Sequence, residues 1–293
     1  MDFLKKNRIT ILSIGMVLVC LTRIFVLLLG TDRVNGYSQS VLWAVLQIAV
    51  CGLVMLAVGL PAFFPRKDVP VGDTFLLRAM AVVAMLGFAV KVGMALVGLW
   101  QEFSMNMLMY EIRMPWVSLL EVLLSILSVG FFFLICRTGI QLPSPASLVL
   151  ILGPIGLYVI RLIESFMTIT MNPSVDTYAI LLLSCCAGLM FLSYFGRSLL
   201  DLKGKPMFFA WSGVAAVMLG LSSVAALVFT VVKAPAYLGL IGVEDLVCDL
   251  CVMLLAIACT NLHQGAPVRV RRRAMVGSAV PVPRHLDRYI PKH

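Results

Sequence analysis

Between residues 10 and 260, apolar stretches of about twenty residues follow one another, separated only by short polar breaks. That is the length a helix needs to span roughly 30 Å of hydrocarbon. The bulk numbers point the same way: 61% of the 293 residues are apolar and 13% charged, with a mean hydropathy of +1.03. A soluble domain sits nearer about half apolar and a quarter charged. Lipid cannot satisfy backbone polar groups, so the crossing elements must be helices or a closed barrel. Barrel strands alternate polar and apolar residues, whereas 148–160 is continuously apolar apart from glycine and proline. The expectation is an all-α polytopic transmembrane helix bundle with about eight spans, near 10–30, 41–63, 76–100, 115–136, 147–170, 177–198, 207–232 and 237–260. The first span follows Lys5, Lys6 and Arg8 as a signal peptide would. Its apolar run is too long for one, and no small-residue cleavage site follows, so it is expected to be retained.

A formal charge of +9 could suggest a nucleic-acid partner, but the cations are placed otherwise. They concentrate in alternate loops: Lys5, Lys6 and Arg8; Arg66, Lys67 and Arg78; Arg137; Arg197, Lys203 and Lys205; then Arg269, Arg271, Arg272 and Arg273 in the tail. The intervening loops hold Arg33, Arg113 and Lys233. This positive-inside pattern predicts cytoplasmic N- and C-termini in a cell membrane, and an even number of spans. The basic tail is expected near anionic lipid headgroups, each cation worth about 1 kcal/mol there. A protein partner for it is a second option, and nucleic acid is not expected.

The eight cysteines all fall within the spans, so no extracytoplasmic disulfide framework is implied. The three histidines, His263, His285 and His293, all lie in the tail, which argues against haem held between helices. No cofactor or metal is expected. The tail carries Pro267, Pro281, Pro283 and Pro291 and reads as irregular. Residues 101–114 read as an amphipathic outer loop lying along the membrane surface.

The chain looks duplicated, with a first four-helix repeat over 1–136, a second over 137–260, and the tail over 261–293. Arg23 of span one matches Arg161 of span five, Met85-Leu86-Gly87 of span three matches Met218-Leu219-Gly220 of span seven, and Glu121 of span four matches Glu244 of span eight. An even number of spans gives parallel repeats about an axis along the membrane normal. Some transporters are built this way, with sites near the repeat interface. The comparison is one of architecture and carries no substrate.

Eight charged residues fall inside the spans away from their ends: Arg23, Lys91, Glu121, Arg161, Glu164, Glu244, Asp245 and Asp249. Each costs about 2.5–3.5 kcal/mol at a lipid-facing helix centre, so they must face one another, a cavity or water. With a rise of about 1.5 Å per residue, all but Asp249 fall in the outer half of the bilayer, and Asp249 lies near the midplane. Arg23 and Arg161 are the expected partners of Glu121 and Glu244, in either combination. Glu164 shares a helix face with Arg161. Five acids against three bases would suit a cation or a protonatable relay, while an interhelical pair can also be purely structural.

Other signals have plainer readings. Cys248 and Cys251 form a Cys-x-x-Cys that could be redox-active or bind a soft metal; small residues there favour close helix packing. Met105, Met107, Met109 and Met114 could hold Cu(I) or fill interfacial contacts. Pro154, between Gly153 and Gly156, invites a kink that could act as a hinge. Ser125 lies one turn from Glu121 and reads as a packing residue. No nucleotide-binding, hydrolase-elbow or metalloprotease motif is present, and no nucleophile stands out for an intramembrane enzyme. The favoured function is a transporter or permease-like protein. It would bind a small polar or cationic solute, or protons, at the charged cluster. The alternative is a membrane scaffold, sensor or complex subunit whose ion pairs are structural.

Overall fold

A computed structural model describes residues 8–30, 41–59, 75–108, 116–139, 149–171, 176–199, 206–233 and 243–262. These form eight helices: α1 (Arg8–Leu29), α2 (Val41–Gly59), α3 (Phe75–Leu108), α4 (Trp116–Thr138), α5 (Leu152–Met171), α6 (Asp176–Leu199), α7 (Pro206–Lys233) and α8 (Val243–Leu262). There is no strand among the described residues. The architecture is the helical membrane bundle that the apolar stretches predict. Five helices, α1, α3, α4, α5 and α6, are long and apolar enough to cross a membrane. Two further helices, α2 and α7, carry shorter apolar runs at Val45–Ala57 and Trp211–Ala225. The acids Glu244, Asp245 and Asp249 all lie near the start of α8.

The bundle is apolar on its outside as well as its inside. Ile14, Val17 and Leu21 of α1, Leu86, Val90 and Val97 of α3, and Leu119, Leu123 and Ile126 of α4 are all exposed. Such a surface would be an aggregation hazard in water; in lipid it is the solvent-matched face. From α3 onward the helices close a ring in chain order, each packing on the next and α8 returning to α3, with α8 also touching α6. The first two helices pack on each other and lie against α7, α2 also reaching α6. The neighbour relations of the two halves differ: α6 packs along α7 without comparable packing of α2 on α3, and α3 packs along α8 without comparable packing of α7 on α4. The ring thus takes α3 and α4 from the first expected repeat and four helices from the second.

Two local features depart from the sequence reading. The expected surface loop at 101–114 is helical through Leu108, continuous with α3. Gln101 and Glu102 are good helix formers, and the Ser104 hydroxyl bonds back to the Trp100 carbonyl of the continuing helix at 2.5 Å. At about 1.5 Å per residue, the 34-residue α3 reaches about 50 Å, well past a 30 Å hydrocarbon layer. Residues 109–114, with Met109, Arg113 and Met114, lie outside the described residues. Pro154 falls in the first turn of α5, after a 3₁₀ turn at 149–151. Backbone N–H groups there have no intrahelical acceptor, so the missing donor breaks no bond and makes no kink. The hinge reading of Pro154 is set aside.

Close packing is bought with small residues. A Cβ on Gly153 would meet the Ser128 backbone nitrogen at 2.6 Å, so α5 rides directly on α4. A Cβ on Gly87 would overlap the Cys251 sulfur, which fixes α3 against α8. Five buried phenylalanines form a chain of ring contacts across the bundle: Phe88 to Phe132 at 5.1 Å, Phe132 to Phe131 at 5.2 Å, Phe131 to Phe195 at 6.4 Å, and Phe195 to Phe191 at 5.9 Å. This apolar layer joins α3, α4 and α6 on one side of the charged residues.

Candidate functional site

The charged residues converge where α3, α4, α5, α6 and α8 meet. Lys91 stands one turn beyond Phe88 on α3 and is buried. Its ammonium lies 2.6 Å from Glu121 Oε1 on α4, 2.9 Å from Asp245 Oδ1 on α8 and 3.9 Å from Glu244 Oε1 on α8. Arg161 of α5, also buried, places Nε 3.2 Å from the same Asp245 oxygen and Nη1 2.8 Å from Asp249 Oδ1. Asp245 therefore bridges the two cations. Glu164, one turn after Arg161, is the most exposed of the five acids and lies within electrostatic range of Glu121, Asp245, Lys91 and Arg161.

Asp249 is the floor of this arrangement. It accepts hydrogen bonds from Arg161 Nη1 at 2.8 Å and Tyr158 Oη at 2.9 Å on one oxygen, and from Ser184 Oγ at 3.2 Å on the other. The Arg161 guanidinium carbon lies 4.9 Å from the centre of the Tyr158 ring. Burial is graded along the site. The side chains of Glu121, Asp245 and Glu244 are 20%, 21% and 23% exposed, against 1% for Asp249. The rim acids keep a partly exposed edge, although Asp245 Oδ1 itself is buried between Lys91 and Arg161, while the floor is sealed and saturated with donors. Charge-assisted bonds of this kind are the strong ones, so the Asp249 carboxylate is held in one orientation.

Seven of the eight sequence candidates thus share one cluster. The pairings differ from those expected. Glu121 is taken by Lys91 rather than by an arginine, and Arg161 pairs with Asp245 and Asp249 rather than with Glu121 or Glu244. Arg23 is buried on α1, which packs on α2 and α7 and not along α4 or α8. It lies within electrostatic range of Cys51, beside a separate polar junction in which Gln47 Nε2 donates to Ser222 Oγ at 2.9 Å. In the cluster itself, five carboxylates face two cations.

Sequence reasoning passed over Tyr158, Ser184 and Gln47. Tyr158 had a usable signal, since it precedes Arg161 by one turn and so shares its face. Ser184 had none, being a small residue in an apolar helix. Gln47 is the lone amide in α2 and could have been flagged for that reason.

The cysteine pair follows its packing reading. Cys248 and Cys251 are buried free thiols, and Cys251 packs against Gly87 with Sγ 3.6 Å from the Val83 carbonyl. Ser125 bonds its own helix, donating to the Glu121 carbonyl at 2.7 Å. Met105 is exposed; the side chains of Met107, Met109 and Met114 lie outside the described residues. Among the described residues, no three His, Cys, Asp or Glu side chains are placed to hold a metal ion. No protein-family model, no curated protein and no solved structure matches the chain.

Proposed function

We propose that this integral membrane protein is transporter-like and binds a small cationic or polar solute, or protons, at the Lys91–Arg161 cluster. The carrying observation is the gradient from rim to floor. Glu121, Asp245 and Glu244 are partly exposed and share the single Lys91 ammonium, at 2.6, 2.9 and 3.9 Å, while Asp249 is buried under three donors. Charges in a bilayer are costly and are retained where they line a path or a site. Acids in excess over bases favour a cationic ligand. The rim acids Glu121 and Glu244 act as primary ligands or proton carriers, Asp245 couples the two cations, and Asp249 anchors Arg161. The phenylalanine layer supports access from one side only, with the α4 and α8 N-termini at the open end.

The same reading takes all eight helices as spans, both termini as cytoplasmic, the open end as the outside of a cell membrane, and the basic tail (Arg269, Arg271, Arg272, Arg273) as lying on anionic lipid. The test is flux in proteoliposomes carrying a trapped pH-sensitive dye, driven by an imposed pH or cation gradient. Wild-type protein dissipates the gradient faster than empty vesicles. Glu121→Gln and Glu244→Gln abolish the flux while still accumulating in the membrane. Full flux in both variants refutes the assignment of these acids. A structural role for the whole cluster is the competing reading. It is favoured by the saturated floor alone and does not account for the partly exposed rim.

A further inference from the structure

Two observations about the cluster, taken together, specify what it would hold. The first concerns Lys91. Carboxylates from two helices, Glu121 on α4 and Glu244 and Asp245 on α8, point at one spot, and the spot is filled by an ammonium carried on the flexible stem of a residue from a third helix. An ammonium is a compact point charge with three donors, so its position marks where a primary amine would sit. The second concerns Arg161. Its Nε and Nη1 are both engaged, by Asp245 and Asp249. Its Nη2 is buried and has no hydrogen-bond partner. Nε and Nη2 lie along one edge of the planar guanidinium. That edge faces Asp245, the acid shared with Lys91. A donor on a side chain only 4% exposed is therefore left unfilled on the guanidinium edge that faces Asp245, the acid Lys91 also contacts, and such a group is costly to leave unmade.

From this geometry we propose that the cluster is a binding site for a small primary amine carrying an oxygen acceptor next to its ammonium, the chemistry of an amino alcohol or an amino acid. The ligand's ammonium takes the place of Lys91 among Glu121, Glu244 and Asp245, and its oxygen accepts from Arg161 Nη2. Lys91 is the tethered occupant that holds the site when the ligand is away and is displaced on binding. This keeps the number of cations among the acids constant between the empty and filled states. The inference rests on the cluster being a ligand site, as in the transporter reading, and adds the ligand class and the role of Lys91.

A tethered group competes at an effective concentration in the millimolar range or above. Removing it raises the apparent affinity for a free competitor. The test is calorimetric titration of purified full-length protein, wild type and Lys91→Ala, with ethanolamine, glycine, methylammonium and acetate. Lys91→Met, which keeps most of the stem volume, serves as a second variant. The expected result is saturable binding of ethanolamine or glycine that tightens at least about tenfold in Lys91→Ala. Methylammonium, lacking the oxygen, binds at least about tenfold more weakly than ethanolamine, and acetate does not bind. Adding Glu121→Gln to Lys91→Ala abolishes the gain. The proposal is overturned if neither variant binds any of the amines saturably. It is equally overturned if methylammonium and ethanolamine bind alike, or if neither variant can be recovered even in millimolar ethanolamine, since the occupant then cannot be replaced. Amine binding without vesicle flux would sink the transport reading and keep this site. Proton flux without amine binding would keep the transport reading and sink this one.

Discussion

Replacing Asp249 with leucine tests whether the floor of the cluster holds α5, α6 and α8 together. The change removes an anion that accepts from Arg161, Tyr158 and Ser184 at 2.8, 2.9 and 3.2 Å, all in a site closed to its surroundings. Breaking a buried ion pair from one side costs about 3–5 kcal/mol in soluble proteins. Interhelical polar contacts in a bilayer are weaker, averaging about 0.6 and reaching about 1.7 kcal/mol, because the separated helices find other partners. Three contacts on that scale come to about 2–5 kcal/mol. Arg161 keeps its Asp245 contact, which sets the expectation at the lower end, about 2–3 kcal/mol. At about 2–4 °C per kcal/mol for a large chain, the melting temperature falls by about 4–12 °C. Asparagine, which keeps a carbonyl facing Tyr158 and Arg161 but not the charge, costs about half as much. The buried free thiols Cys185, Cys248, Cys251 and Cys259 supply the assay: a fluorogenic thiol reagent reports their exposure as detergent-solubilised protein is heated. The double variant Asp249→Leu with Arg161→Met closes the cycle. It is less destabilised than the two single changes added together, because no charge is stranded. If Asp249→Leu melts at or above the wild-type temperature, the three bonds do not anchor the bundle.

Access and packing give two further tests. In a cysteine-free background, cysteines placed at Glu121 and Glu244 react with a membrane-impermeant thiol reagent added outside cells, as does a control at the exposed Trp116, while a cysteine at Asp249 does not. Silence at both rim positions alongside a reacting control would mean a packed ion-pair network rather than a water-accessible rim. Gly153→Ala puts a methyl against the Ser128 backbone, which cannot yield as a side chain can, and lowers stability by about 1–3 kcal/mol. Gly52→Ala, with open space around the added methyl, is neutral or gains up to about 1 kcal/mol. Equal melting temperatures for the two variants, read with the same thiol assay in protein that keeps the buried cysteines, would contradict the close α4–α5 contact.

The parts of this structure that could be read from the sequence are those set by one helix at a time. Apolar stretches located each of the described helices, five of them long and apolar enough to cross a membrane, and the cost of charge in lipid singled out the residues that had to meet. The errors came where the answer depends on which helices are neighbours. The expected repeat aligns Arg23 with Arg161, yet α1 packs on α2 and α7 while α5 sits in the ring with α8 nearby, so the two arginines do not meet the same partners. Lys91 has a glutamate-rich surrounding only because α3 lies between α4 and α8, a fact that no spacing within α3 contains. α3 overran its expected end because the apolar pattern stops at Trp100 while helix propensity does not: hydropathy marks where lipid ends, not where hydrogen bonding ends. The same distinction explains Asp249. Depth alone placed it near the midplane, apart from the other acids. Only the convergence of Tyr158, Ser184 and Arg161 from two other helices turns it into a fixed counter-ion, and that leaves Lys91, with its flexible stem and partly exposed acids, as the charge in the cluster best placed to move.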